Sequence, residues 1–321
     1  MLRFLILGLT LFLSLPLVAE EKEIRILVVT GTSGTDKFET IFAENALRWK
    51  EAAELGGATF ELIGQDRGVE DNQASDAEKL KAAIAAAREP ELWIVLIGHG
   101  SFDTREVKFN LEGPDVTDTE IAEWVKAYPG KLTFINTASA SGSFVRKLSG
   151  KDRVVITATK NEAEVFYTRF GNYFVEAIQG KEDADLDNDD QVSLLEAFIF
   201  ASDEVSTFFE VEGRLATEHA LIDDNADGLG SRAEWYEGTT PTRTPAKDKE
   251  ADGELASRRV LVKNEFERRL TAEQRAQRDE WEQQVRALRR ARDDMEEEAY
   301  YDQLESLLLK LGALYKEVSD S

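Results

Sequence analysis

The chain has 321 residues, with 63 acidic and 39 basic side chains, a formal net charge of −24, two histidines and no cysteine. Without a thiol there is no disulfide framework, no thiolate-held metal cluster and no cysteine nucleophile. The negative charge argues against binding to nucleic acid or to an anionic membrane surface, because association with phosphates needs positive charge. Cations are the ligands that this composition favours.

The amino terminus has the pattern of a secretory signal peptide. Arg3 precedes an apolar run over residues 4–18, and small residues lead to Ala19 before two glutamates. We therefore expect cleavage after Ala19, which removes residues 1–19 and leaves no stable membrane span. An uncleaved anchor is the alternative, although the apolar run is short for a span. Export without disulfides predicts a periplasmic or secreted protein, for which a bacterial envelope fits best.

Residues 20–180 alternate between apolar runs and amphipathic stretches. This alternation predicts an α/β fold, with a mostly parallel sheet that carries helices on both faces. The predicted strands cover residues 24–30, 59–63, 91–97, 132–135 and 154–158, and the predicted helices cover residues 38–54, 76–88 and 117–127. In such sheets, ligands bind beyond the carboxyl ends of the strands.

Three loops follow the carboxyl ends of predicted strands. They are the segments Gly31 to Gly34, Gly98-His99-Gly100 and Ala138 to Gly142. The histidine between glycines is a candidate general base, and the serine-rich turn after the next strand could supply a nucleophile. The glycines would let backbone amides approach a developing oxyanion. The alternative is that His99 is structural and the small residues only shape tight turns.

The segments VVTGTSGTDKFETIF, WIVLIGHGSFD and LTFINTASASGSF resemble the legumain-like peptidases of the caspase/legumain clan. The resemblance covers about residues 24–180 and implies a caspase-like fold. It implies that His99 matches the general base and Gly100 an oxyanion-hole donor. Ser139 falls where the family has its nucleophilic cysteine. Ser33 stands where legumains carry an asparagine that supports the histidine.

Serine at position 139 changes the expected chemistry, because an alcohol is almost never ionised and must lose its proton during attack. Three hypotheses follow. The first is a peptidase homologue without cysteine-peptidase activity, whose cleft binds a peptide or a protein. The second is a serine-dependent hydrolase that uses Ser139 and His99, for which His219 is the only other histidine that could assist. The third is nucleotide binding at Gly31 to Gly34, although this loop lacks the lysine of a P-loop.

Residues 185–196 match the twelve-residue calcium loop of an EF-hand. Calcium is a hard ion that takes six to eight oxygen ligands, and this loop offers oxygens at positions 1, 3, 5, 7, 9 and 12. Asp190 occupies the position where glycine normally allows a sharp turn, which predicts backbone strain. The predicted ligands are Asp185, Asp187, Asp189, Gln191 through its carbonyl, Ser193 and Glu196.

Residues 223–234 repeat the calcium-loop pattern, here with Gly228 in the turn and Gly230 in place of the apolar residue that normally pairs two loops. Calcium is therefore the expected cofactor. The alternative for both loops is an acidic surface loop without metal. The predicted ligands of the second loop are Asp223, Asn225, Asp227, Leu229 through its carbonyl, Ser231 and Glu234.

The remaining chain divides into three parts. Residues 181–240 are expected to form a paired EF-hand-like segment with a helix over residues 194–219, and residues 241–253 a linker. Residues 254–321 show helical and coiled-coil spacing, which predicts a helical hairpin or a self-association arm. A helix folded back on the sheet domain is the alternative.

Overall fold

The computed structural model describes residues 22–65, 74–247 and 249–320. The predicted signal peptide, residues 1–19, lies outside these ranges, so export stays a prediction. Within the described ranges, no helix combines the length and the apolar character needed to cross a bilayer.

Short and long strands alternate with helices through most of the chain. The strands, in chain order, are β1 (Ile24–Thr30), β2 (Thr59–Ile63), β3 (Glu91–Ile97), β4 (Gly100–Phe102), β5 (Val107–Phe109), β6 (Val116–Thr117), β7 (Lys131–Asn136), β8 (Arg153–Thr157), β9 (Leu221–Asp223), β10 (Tyr236–Glu237) and β11 (Thr240–Pro241). The helices are α1 (Asp36–Leu55), α2 (Asp76–Ala86), α3 (Asp118–Val125), α4 (Ser143–Leu148), α5 (Phe170–Ile178), α6 (Leu194–Val211), α7 (Glu265–Arg269), α8 (Ala272–Arg290) and α9 (Glu297–Ser319).

The central sheet has six strands in the order β2-β1-β3-β7-β8-β9. All neighbouring strands are parallel except β9, which runs antiparallel to β8. Strand β1 shows why the sheet is buried on both faces, since Ile26 and Val28 enter one core cluster while Leu27 and Val29 enter the other. Helices α1, α5 and α6 cover the first face, and α2, α3 and α4 cover the second. The predicted α/β fold class is confirmed.

The core extends beyond residue 180. Helix α6 packs against α5, and β9 completes the edge of the sheet, so α6 and β9 share the core built by the preceding strands and helices. The helix expected over residues 194–219 ends at Val211, because Gly213 adopts a left-handed conformation with φ +63°. The carboxyl end of the predicted linker is also fixed in place, since Asp252 is buried.

The carboxyl-terminal region forms the predicted helical hairpin. A capping box between Thr271 and Gln274 begins α8, as the sequence indicated. Helices α8 and α9 share a small apolar cluster that includes Val285, Leu288 and Leu311. The opposite side of α9 leaves Leu309 67% exposed, and the predicted self-association through these helices stays a prediction.

Candidate active-site cleft and calcium loops

His99 lies between β3 and β4, at the carboxyl edge of the sheet. Its ring is half-buried among aromatic side chains, with centroid distances of 4.6 Å to Phe38, 5.3 Å to Phe42 and 6.4 Å to Tyr167. Phe38 and Phe42 are one turn apart on α1, so their shared face was visible in the sequence, although its contact with His99 was not. The ring therefore has a fixed, largely apolar surrounding.

Burial lowers the pKa of His99 below its ordinary value of 6.5, and a hydrogen bond with the backbone of Ser33 acts in the opposite direction. A bond that raises this pKa stabilises the charged ring, which has only donors, so the Ser33 carbonyl is the acceptor. Ser33 is itself buried at the end of the first-strand loop. The structure thus brings Ser33 and His99 together through the backbone of Ser33.

Ser139 lies in the turn after β7 and is almost completely buried. Its hydroxyl oxygen accepts a hydrogen bond from the N–H of Gly100 at 3.2 Å and donates one to the Gly100 carbonyl at 3.0 Å. The hydrogen bonds of the hydroxyl group therefore go to the backbone of Gly100 rather than to an imidazole. Glycine is required here, because a Cβ on residue 100 would lie 2.1 Å from the Ser139 carbonyl oxygen.

Hydrogen bonds hold the turn that carries Ser139. The Asn136 side chain accepts from the N–H of Ala138 at 3.0 Å, and the Glu164 carbonyl accepts from the N–H of Ala140 at 2.8 Å. Ala140 adopts φ +54°, a left-handed conformation that alanine rarely takes and that these contacts maintain. These bonds define the course of the turn that carries the Ser139 hydroxyl.

The structure places His219 beside Glu164 and Lys160. The Glu164 carboxylate bonds to the His219 ring, and Lys160 Nζ lies 3.2 Å from His219 Nδ1 and 3.3 Å from Glu164. These contacts engage Nδ1 of His219, the second histidine that the sequence offered as an assistant to Ser139.

The first-strand loop offers little to a phosphate group. The N–H of Gly31 donates to Ile97 at 2.9 Å, and the N–H of Thr32 donates to Asn110 at 3.0 Å. Helix α1 then begins with Asp36 and a second acidic residue in its first turn, which opposes an anion at its amino terminus. Nucleotide binding finds no support in this geometry.

The first candidate calcium loop gathers three carboxylates. Ligand oxygens of Asp185, Asp187 and Asp189 lie within 4.8 Å of one another. Asp190 adopts φ +63°, so the aspartate takes the left-handed conformation that glycine normally supplies, as the sequence predicted. Burial, together with the carboxylates of Glu196, Asp189 and Asp185, raises the pKa of Asp187 to about 6.

Glu196 reaches back into the first loop from the first turn of α6. Its Oε1 accepts from the N–H groups of Leu186 and Asp187, at 2.9 and 3.2 Å, while Oε2 accepts from Ser193. The side chain of Gln191 accepts from the N–H of Asn264 at 3.2 Å. The first loop is thus closed on itself and attached to the segment before α7.

The second candidate loop has a similar backbone. Its fourth and sixth residues, Ala226 and Gly228, have φ +67° and +72°, close to the +60° and +63° of Asn188 and Asp190 in the first loop. The N–H of Gly228 donates to Asp223 at 2.9 Å, which matches the bond from Asp190 to Asp185.

The two loops share no β-bridge within the described part of the chain. Among the described residues, the isolated β-bridges join Ser193 to Val260 and Ile222 to Ser231, so neither connects the two loops. These bridges give no support to mutual pairing, and the paired segment expected over residues 181–240 stays a prediction. Gly230, where an EF-hand pair has an apolar residue, has no side chain with which to support such pairing.

No protein-family model matches the chain, and no curated protein is found to match it. The solved structures that are similar include the initiator caspase Dronc of Drosophila, at 12% identity and a TM-score of 0.42, over 64% of this chain and 81% of that one. Caspase-1 of Spodoptera frugiperda is similar at 10% identity and a TM-score of 0.39, over 64% and 87%. A secreted C11 cysteine protease of Bacteroides thetaiotaomicron, iotapain, is similar at 11% identity and a TM-score of 0.40, over 64% and 67%.

Proposed function

We propose that the chain is an exported caspase/legumain-like peptidase homologue whose cleft binds a peptide without hydrolysing it by the cysteine mechanism. The observation that carries this proposal is the position and bonding of Ser139. It stands where the resembled family has its cysteine, and its hydroxyl is held by both backbone groups of Gly100.

The bonding of Ser139 opposes catalysis in two ways. An alcohol needs a base that takes its proton during attack, but its donated hydrogen bond goes to a carbonyl, which is not a base at neutral pH. The N–H of Gly100, which the resemblance assigns to the oxyanion hole, is occupied by the same hydroxyl. His99 is also supported by a backbone carbonyl rather than by a carboxylate that would stabilise an imidazolium.

The segment after β8 offers a surface for a peptide. Glu164 holds the Ser139 turn through its carbonyl, and the next two residues, Val165 and Phe166, are exposed, Phe166 by 64%. Neighbouring apolar side chains beside a fixed turn suit an extended peptide with apolar side chains. We therefore assign peptide binding to this edge of the cleft.

A peptide library tests this function in two measurements. Fluorescence anisotropy is expected to show binding that is weakened by Phe166→Ser but unchanged by Leu47→Ser, a matched change at an exposed position on α1. Hydrolysis of asparaginyl and aspartyl peptides is expected to be absent. Turnover that disappears in Ser139→Ala would instead establish the serine-dependent hydrolase.

We also propose that the first loop binds calcium. The three clustered carboxylates and Glu196 supply hard oxygen ligands, and a divalent cation would offset both the burial and the carboxylate repulsion that raise the pKa of Asp187. Titration calorimetry with calcium is expected to show saturable binding that Glu196→Gln removes from this loop. The matched control is Glu182→Gln, just before the loop. Equal binding by wild type and Glu196→Gln would refute the assignment.

A further inference from the structure

Two buried carboxylate oxygens of the second loop have no hydrogen-bond partner among the described residues. They are Oδ2 of Asp223 and Oδ2 of Asp227. Asp223 is fully buried at the end of β9, and its other oxygen accepts from Gly228. Burial raises the pKa of Asp223 and the nearby Ser149 hydroxyl acts in the opposite direction, but neither that hydroxyl nor Oδ2 makes a hydrogen bond of normal geometry with any described residue. The nearest cation to Asp227 Oδ2 is Lys249 Nζ at 3.7 Å, beyond hydrogen-bond distance.

A buried carboxylate oxygen without a hydrogen bond costs free energy, so these two oxygens need an explanation beyond the ion pair of Asp227 with Lys249. Asp223 and Asp227 hold positions 1 and 5 of the loop, which supply ligands in an EF-hand. A hard divalent cation bound in the loop would give both carboxylate oxygens the partner that they lack. The orphaned oxygens therefore point to a ligand, which an acidic cluster alone would not do.

Glu234, at position 12, does not take part in this arrangement. Its side chain is 57% exposed and pairs with Arg232 at 3.2 Å. The cause is the element that follows the loop. After the first loop, α6 turns Glu196 back toward the loop, whereas the second loop leads only into a single 3-10 turn, Ala233–Trp235.

Asp252 is the buried carboxylate that contacts the second loop instead. Its Oδ2 accepts from the hydroxyl of Ser231, at position 9, at 2.6 Å, and its Oδ1 accepts from the N–H of Asp224 at 3.0 Å. Asp224 in turn accepts from the N–H groups of Gly253 and Ala256, both at 2.8 Å. Residues 252–256 therefore form a strap that is docked on the loop.

We infer that the second loop is a divalent-cation site whose direct ligands include Asp223 and Asp227, in which Asp252 positions Ser231 and Glu234 has no role. The inference deepens the calcium proposal and rests on it only for the identity of the ion. Binding at this site would stabilise the strap as well, because loop and strap share the hydrogen bonds of Asp224 and Asp252. The strap leads directly toward the carboxyl-terminal helices.

Calcium calorimetry on the full chain with Glu196→Gln isolates this site, because that change disables the first loop. We expect one saturable calcium site in this Glu196→Gln parent. Asp223→Asn should abolish that site, and Glu234→Gln should change its dissociation constant by no more than about twofold. Asp252→Asn should weaken the calcium affinity of this site roughly 10-fold to 100-fold, as the loss of a positioning group does. Asp227→Asn, at a less buried position, repeats the ligand test should Asp223→Asn fail to fold.

Hydrogen exchange supplies a second readout in the same parent. Calcium is expected to slow exchange at the amides of Gly253 and Ala256, and Asp252→Asn should reduce that protection. No saturable heat in the parent, or loss of the site in Glu234→Gln, would overturn the inference. Neither the calorimetry nor the hydrogen exchange depends on peptide binding in the cleft. The difference in calcium binding between wild type and the Glu196→Gln parent measures the first loop separately.

Discussion

The hydroxyl of Ser139 is bonded to both the N–H and the carbonyl of Gly100, at 3.2 and 3.0 Å. One side chain thus joins the two loops that the resemblance assigns to nucleophile and oxyanion hole. These two bonds occupy both the proton of the Ser139 hydroxyl and the N–H donor of the expected oxyanion hole. The proposed loss of activity therefore follows from this one contact between Ser139 and Gly100.

Ser139 in the turn after β7 and Ser143 at the start of α4 should differ in their contribution to stability. Ser139→Ala removes hydrogen bonds to partly exposed backbone that water can replace, so we expect a loss of about 1 kcal/mol. Ser143→Ala removes a donor to the buried carboxylate of Asp118, at 2.9 Å, and should cost about 2 kcal/mol. Urea unfolding checks this order, and a larger loss for Ser139→Ala would contradict it.

His99 should titrate below its ordinary pKa of 6.5, because burial outweighs the bond to Ser33. The folded protein then binds fewer protons than the unfolded chain just below pH 6.5, so His99 reduces the free energy of unfolding as the pH falls through that range. NMR titration of the ring, assigned with His99→Gln, measures the midpoint. A midpoint above 6.5 would show that the imidazolium is stabilised and would favour a working base.

Glu218 should make the protein less stable as the pH rises. Burial raises its pKa from 4.5 to about 7, although the N–H groups of Arg169 and Phe170 donate to its carboxylate. The folded state keeps a proton that the unfolded chain loses between pH 4.5 and 7, so its stabilising contribution is full below pH 4.5 and is lost through this window.

The matched variant for Glu218 is Glu218→Gln, which cannot titrate. We expect the difference in free energy of unfolding between wild type and variant to fall by up to about 3 kcal/mol from pH 4.5 to 7. Calcium is chelated in both samples, so that calcium binding does not contribute to the difference in free energy of unfolding. A difference that is independent of pH would show that Glu218 stays ionised.

The outer side of α9 should mediate self-association. Leu309 and Leu308 are exposed there, and an antiparallel pair of α9 helices would place the acidic half of one copy against the basic half of the other. The charged residues concerned are Glu297, Glu298, Asp302 and Glu305 in the first half and Lys310, Lys316 and Glu317 in the second, which is net positive.

Sedimentation tests this association. Wild type should form dimers, Leu309→Glu should be monomeric, and Leu47→Glu, at an exposed leucine of α1, should behave as wild type. Monomeric wild-type protein at high concentration would exclude the interface.

The sequence predicted the long central strands because β1 and β3 are continuous apolar runs that suit a sheet buried on both faces. It missed β9 and α5. Strand β9 has only three residues and depends on a distant partner, and α5 begins without a side-chain cap.

The sequence predicted which residues lie near the candidate site, but it did not predict the contacts that they make. Loop positions brought Ser33, His99, Gly100 and Ser139 to one edge, but the bonds between Ser139 and Gly100 lie in a turn where Ala140 adopts φ +54°, a conformation that the sequence did not predict. The role of position 12 also differs between loops of equal spacing, since Glu196 is carried by a helix and Glu234 is not. Spacing alone does not contain that difference.

The most direct measurement is peptide cleavage by Ser139→Cys, compared with wild type and with Ser139→Cys combined with His99→Ala. The introduced thiol is the only one in the chain, so its alkylation also reports its reactivity without background. We predict that Ser139→Cys cleaves peptides and requires His99, while wild type does not cleave them. Cleavage by wild type that is lost in Ser139→Ala would contradict the central claim.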